Sequence, residues 1–176
     1  MTTPESLDEQ NYHFRAARPE DAETLVSIFN QAQSARSDNT IPPYIADDAA
    51  VGRTSKLISS ETTWSRLVLE DDNIVGYVLG LPEKNKKTNE VIPNTEHLDL
   101  LMVRPDQWGK GIGGELLDWA KTEMFERDVQ RIVLWTEASN TRSRALYERK
   151  GYVLNGIERD HPKSGEPQVQ YQLELQ

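Results

Sequence analysis

Four glycines, Gly109, Gly111, Gly113 and Gly114, fall within six positions just after an apolar run of Leu98, Leu100, Leu101, Met102 and Val103. Pro105 and Asp106 break that run, because proline lacks an N–H and biases its predecessor towards extended geometry. Behind the glycines Ile112, Leu116, Ala120 and Met124 recur at helical spacing, and Leu117 widens the apolar face. A glycine-rich turn that opens a helix has a definite chemistry. The first helical N–H groups lack partners inside the helix, and the dipole adds partial positive charge there. With no side chains in the way, a bulky anion can reach those amides, so the turn can cradle a phosphate or pyrophosphate. The plainer reading is a tight connection whose glycines only supply positive φ. Two further groups could do chemistry. Glu96, His97 and Asp99 precede the apolar run, and strand alternation sends His97 and Asp99 to one face and Glu96 to the other. Asn140 and Tyr147 lie seven residues apart, two helical turns, and share a face if Asn140 caps its helix.

The elements that must hold these residues can be read along the chain. Residues 1–12 form a polar, flexible tail, and 13–176 a single domain. His13 to Ala17 is a short strand, and Pro19-Glu20-Asp21 introduces a helix with an apolar face of Ala22, Leu25, Val26 and Phe29. Gln31 to Ile45, with Pro42-Pro43, is a loop or broken helix; Asp47 to Ser59 is a second helix. Trp64 to Glu70 and Ile74 to Leu81 flank the turn Asp71-Asp72-Asn73, and Gly76 suggests a bulge or a close backbone approach. Pro82 to Thr95 is a long hydrophilic loop, assigned as a substrate-side flap. Arg131 to Thr136 is a fifth strand, Thr141 to Lys150 a helix ended by Gly151, and Tyr152 to Ile157 and Val169 to Leu175 are closing strands. The order β-α-α-β-β-β-α-β-α-β-β implies an α/β (α+β) fold with a mixed, mostly antiparallel central sheet flanked by helices.

Composition narrows the function. At 176 residues, 36% hydrophobic and 28% charged, the chain is an ordinary globular domain with a substantial core. It has no cysteine, which excludes disulfides, thiolate metal sites and a cysteine acyl intermediate, and its three histidines are scattered, so no metal is expected. No stretch approaches the ~20 apolar residues of a membrane span, and the N-terminus lacks a signal layout, so the cytoplasm is the expected location. A net charge of −9 argues against nucleic acid and anionic membranes as partners and leaves room for a cationic amine.

Gly109, Gly111 and Gly114 fit G-x-G-x-x-G, but that fingerprint begins at a strand end inside a parallel βαβ unit, with an acid about 20 residues on. Here Arg104 to Trp108 separates strand from glycine, and the first acid after the next strand is Glu137. A closer match is Val103-x-Pro105-x-x-Trp108-Gly109-x-Gly111-Ile112-Gly113, which resembles the acetyl-CoA-binding motif A of the GNAT N-acetyltransferases. Trp108 stands where that family has Gln or Arg. Asn140-Thr141-Arg142-Ser143-Arg144-Ala145-Leu146-Tyr147, continuing to Gly151-Tyr152, resembles the family's motif B. The resemblance is sharpest over residues 98–152.

It implies the GNAT acyl-CoA N-acyltransferase fold, acetyl-CoA as donor, and a small-molecule or peptide amine as acceptor; relatives often pair as homodimers. By the same resemblance, Leu101, Met102 and Val103 offer backbone to the pantetheine arm in a gap between the fourth and fifth strands. Amides of Trp108, Gly109, Lys110, Gly111, Ile112, Gly113 and Gly114 meet the pyrophosphate, with Lys110, Arg142 and Arg144 as candidate phosphate partners. Asn140 and Ser143 belong to the cofactor contacts, and the Tyr147 hydroxyl approaches the CoA sulfur. Acetyl transfer to an amine needs a base, because a lysine-type ammonium has a pKa of ~10.4. It also needs a donor for the carbonyl oxygen and an acid for the departing thiolate. Tyr147 is the candidate acid; Glu96 and His97 are the leading candidate bases, with Asp99 and Glu137 behind them. An acyl-CoA-binding module without catalysis and a dinucleotide-binding oxidoreductase are the alternatives, separable by thiol release and by NAD(P)H binding.

Overall fold

The computed structural model describes residues 11–175. The tail expected over 1–12 therefore lies outside the described residues, apart from its last two. Of these, Tyr12 is already buried in the first strand. The strands are β1 (Tyr12–Arg15), β2 (Trp64–Glu70), β3 (Asn73–Lys84), β4 (Val91–Val103), β5 (Arg131–Glu137), β6 (Val153–Asp160) and β7 (Pro167–Glu174). The helices are α1 (Ala22–Ala35), α2 (Ala49–Ile58), α3 (Ile112–Glu126) and α4 (Thr141–Arg149). The sheet order is β1-β2-β3-β4-β5-β7-β6, antiparallel except for the β4–β5 pair. That arrangement is not a doubly wound parallel sheet, so the dinucleotide-fingerprint alternative loses its structural context.

Each face of the sheet buries one helical stripe. Leu25 and Ile28 of α1 pack against Leu67, Leu69, Tyr77 and Leu79, whereas Ile112, Leu116, Leu117, Ala120 and Met124 of α3 pack on the other face against Val68, Val75, Val78 and Ile132. The face of α1 is split: Leu25 and Ile28 are fully buried, while Val26 and Phe29 line the cleft described below. The helix also continues through Ala35, where the sequence suggested a loop from Gln31, because Ala32 and Gln33 extend its buried side.

Two irregularities aim the site. Asp71 and Asp72 both take positive φ (47° and 64°), the backbone that a two-residue hairpin turn requires, and they bring β3 back beside β2. The register then slips near Gly76, whose absent side chain leaves room for Ile112: a Cβ there would sit 2.9 Å from Ile112 Cγ2. In the β3–β4 ladder Leu79 faces Leu100 and Gly80 faces Leu98, which leaves Asp99 as the extra, bulged residue. Gly80 lies under the Trp64 indole; a Cβ would fall 1.9 Å from its ring.

The long loop expected over Pro82 to Thr95 is instead a hairpin arm. Pro82 pairs with Glu96 and Lys84 with Val91, leaving only residues 85–90 as the turn. The arm projects beyond the core with most of its residues exposed, Val91 and Ile92 among them, so no buried face imposes the alternation that would mark it as strand.

Candidate active site

β4 and β5 run side by side only at Thr95–Arg131, Glu96–Ile132 and His97–Val133, and then diverge. Beyond His97 the edge of β4 that faced β5 has no strand against it, while β5 continues alongside β7. Leu101, Met102 and Val103 lie on this open stretch. Their side chains are core on either face, Leu101 and Val103 towards α3 and Met102 towards α1. A cleft of about 1270 Å³ follows the divergence, lined by both strands, the α3 entrance, α4 and the His161–Lys163 loop.

At one end of the cleft the chain turns from β4 into α3. Gly109 and Gly111 take φ of +81° and +87°, and a Cβ on either would meet nothing, so backbone conformation selects glycine at both. Gly113 and Gly114 serve a different purpose: a Cβ would lie 3.0 Å from Leu146 and 3.1 Å from Lys150, so these glycines let α3 approach α4 closely. The amide of Trp108 donates to Pro105 O (3.2 Å), which removes it from the expected anion cradle. From Gly109 to Gly114 the amides have no backbone acceptor among the described residues, and the dipole of the fifteen-residue α3 reinforces them. The run fits a diphosphate.

The cations around this turn divide. Arg144 donates to Ala138 O (2.8 Å) and Tyr171 Oη (3.0 Å), a tie that withdraws it from phosphate binding. Lys110 reaches back to Gln107 Oε1 (3.2 Å) and does not line the cleft. Arg142 does line it, stacked 4.8 Å above the Trp108 ring. The Trp108 indole N–H in turn donates to Val103 O (2.8 Å), so this residue braces the β4 end against the turn.

On α4, Asn140 is the cap: its Oδ1 accepts from Ser143 N (3.2 Å). Tyr147 therefore falls on the cleft face two turns later, 6% exposed, with Tyr152 and Tyr171 rings 5.9 Å away. No protein group among the described residues bonds its hydroxyl. Burial, aided by the negative charge of Glu137, pushes that hydroxyl well above its ordinary pKa. It stays protonated at neutral pH.

The acidic and imidazole candidates separate as alternation requires. Glu96 accepts from Trp64 Nε1 (3.0 Å) on the α3 side and does not line the cleft, so its place among the bases is withdrawn. His97 and Asp99 both line it. Asp99, which alternation places on the His97 face, is the bulged residue of β4 and lies in the cleft wall beside His97. Burial at the cleft floor raises its carboxyl, against the opposing pull of His97 and Arg159. Glu137 lines the cleft but is paired with Arg36 (3.7 Å). No group of three or more His, Cys, Asp or Glu suited to a metal is present among the described residues, and none of their helices is long and apolar enough to cross a membrane.

Comparison with known proteins agrees with this geometry. The model of the acetyltransferase (GNAT) family matches residues 24–152. A mycothiol acetyltransferase of Beutenbergia cavernae is 40% identical over 59 residues, 34% of this chain and only 20% of that relative's length. The ribosomal-protein-alanine N-acetyltransferase of Brucella melitensis superposes with a TM-score of 0.74 at 22% identity, covering 93% of this chain and 99% of the other. YncA of Salmonella typhimurium, solved with its cofactor acetyl-CoA, gives 0.73 at 18% identity over 94% and 95%. At such identities the two structures attest the fold.

Proposed function

This chain belongs to the GNAT acetyltransferase family, and we propose that it moves an acetyl group from acetyl-CoA to a primary amine by direct attack in a ternary complex. One observation carries the reading: the open backbone edge of β4 beyond His97 lies in one cleft with the unpartnered amides at the start of α3. A long, flexible cofactor with a diphosphate at one end and amide groups along its arm matches both features. Acetyl-CoA supplies an activated thioester.

The chain supplies the rest. Amides from Gly109 to Gly114 hold the diphosphate, and Arg142, stacked on Trp108, adds positive charge where relatives use Gln or Arg at that position. Backbone groups of Leu101, Met102 and Val103 orient the arm, and a main-chain N–H among them stabilises charge developing on the carbonyl oxygen. Asn140 and Ser143 form the α4 cap beside the arm. Tyr147, protonated at neutral pH, delivers the proton that the departing sulfur takes up. His97 and Asp99 face the acceptor, and one of them receives the proton that leaves the amine; its raised pKa makes the Asp99 carboxylate a stronger base than an ordinary one. A chain without cysteine suits transfer with no thiol carrier, and the cytoplasm is the location we assign it. A homodimer is the assembly we expect by analogy with relatives.

Thiol release from acetyl-CoA in the presence of an amine panel tests the reading. Amine-dependent release is expected. Calorimetry with no heat from CoA on folded protein would overturn it, and binding without release from any amine would leave a silent binding module instead.

A further inference from the structure

Two cations converge on the indole of Trp135, a residue of the cleft wall. Arg159 of β6 places its guanidinium carbon 4.1 Å from the Trp135 ring centroid, and Lys86, at the tip of the β3–β4 arm, places its ammonium 4.5 Å from the same centroid. Neither side chain forms a salt bridge among the described residues. Arg159 uses Nε to donate to Gln168 Oε1 (2.7 Å), which fixes the plane of the guanidinium and leaves both terminal nitrogens without a protein acceptor. Arg36 of the same cleft differs, being held by Glu166 at 3.1 Å. Arg159 and Trp135 line the cleft together with His97 and Asp99.

A half-buried guanidinium stacked on an aromatic ring, with a free fork aimed into a cleft, is suited to bidentate capture of a carboxylate. Burial lowers the pKa of both cations and Arg159 lowers that of Lys86 further, against the pull of Glu83 on both and of Asp99 and Glu137 on Arg159, none of which forms an ion pair with either among the described residues. A bound anion would relieve that cost. Asp99 lies within electrostatic reach of Arg159, so an amine and an anion from one small molecule can be served at the same time.

We infer that the acceptor is an amine that also carries a carboxylate, an amino acid or a peptide-like amino acid derivative, with Arg159 gripping the carboxylate on the Trp135 platform and Lys86, held over the same ring, adding positive charge from outside the cleft wall. This rests on the acetyl-transfer reading and narrows its substrate class. It also sets aside the purely cationic amine that net charge alone suggested, because two cations without salt bridges stand at the Trp135 ring although the whole chain is negative.

The test uses binding, which does not depend on turnover. Calorimetry compares N-acetylated amino acids, the product class, with the corresponding N-acetyl amino acid amides on the intact chain in the presence of CoA. The acids are expected to bind at least about tenfold more tightly. Arg159→Gln should abolish that preference, Arg159→Lys should retain part of it, and Lys86→Gln should weaken it; circular dichroism confirms that each variant is folded. Equal binding of acid and amide, no binding of either, or an acid preference that survives Arg159→Gln would each overturn the inference. In parallel, thiol release is measured with free amino acids and with their amides. Release from amides as fast as from acids would overturn the carboxylate assignment and leave acetyl transfer standing, whereas carboxylate-dependent binding without release from any amine would overturn acetyl transfer alone.

Discussion

Tyr147 owes its chemistry to where α4 begins. Asn140 caps that helix through Ser143, and the seven-residue spacing then brings the phenol to the cleft wall, where burial keeps it protonated. Tyr147→Phe should lower kcat about 100-fold, the scale of a lost general acid, with CoA affinity nearly unchanged by calorimetry. Asp99 gives a second expectation with two opposite readouts. Its carboxyl is raised by burial, so activity that needs the carboxylate should rise with pH through a limb above the ordinary carboxylate range, and Asp99→Asn should remove that limb from kcat/KM. For stability the sign reverses. A folded pKa above the unfolded one means the contribution is full below the unfolded value and is lost as pH rises through the folded value. Asp99→Asn should therefore unfold no earlier than the parent at neutral pH while turning over more slowly, a combination that thermal melts and initial rates together can check.

Among the elements, the turn into α3 shows how one cluster of glycines answers two needs. Gly109 and Gly111 hold backbone in the left-handed region and point no side chain at the amide run, whereas Gly113 and Gly114 set the distance between α3 and α4. Gly111→Asp adds both strain at φ +87° and a carboxylate beside the dipole's positive end. CoA affinity should fall by more than tenfold, with the helix retained by circular dichroism. An undiminished affinity would remove the amide run from the site. The β3–β4 arm is the other informative element. Its length is set by cross-strand pairing from Pro82–Glu96 out to Lys84–Val91, and that pairing carries Lys86 over Trp135.

At the scale of the whole molecule, the sheet is two leaves, β1 to β4 and β5 with β7 and β6, joined by a short parallel contact. Opening the cleft weakens this seam, so something else must hold the leaves. Arg36, just past α1, does so: its side chain is 8% exposed and pairs with Glu166 (3.1 Å) and Glu137 (3.7 Å), while Asp38 beside it accepts from Thr141 N and Oγ1 (both 3.0 Å) at the head of α4. α1 packs on the first leaf, and these carboxylates stand on the second. Arg36→Ala leaves buried carboxylates unpaired, which should destabilise by about 3–5 kcal/mol. The midpoint of thermal unfolding should then drop by roughly 6–20 °C.

Much of this architecture was legible without coordinates. Glycine and proline act on their own backbone, so the turn at Gly109 to Gly114, the end of β4 before Pro105 and the stop at Gly151 are local consequences of residue type. Apolar spacing depends on period alone, so α3, β2 and the faces taken by His97 and Glu96 were also decided by the chain order of residues. Tertiary structure decided what depends on partners distant in sequence. The bulge at Asp99 comes from the β3 register, and the Trp64 bond that holds Glu96 on the α3 side spans 32 residues. Arg144 is claimed by Tyr171, and Trp135 is placed between Lys86 and Arg159 by a strand and an arm whose own sequence shows no pattern. Local chemistry determines which backbone can turn and which face is apolar, but which charge remains free to meet a substrate depends on what the completed fold has already paired.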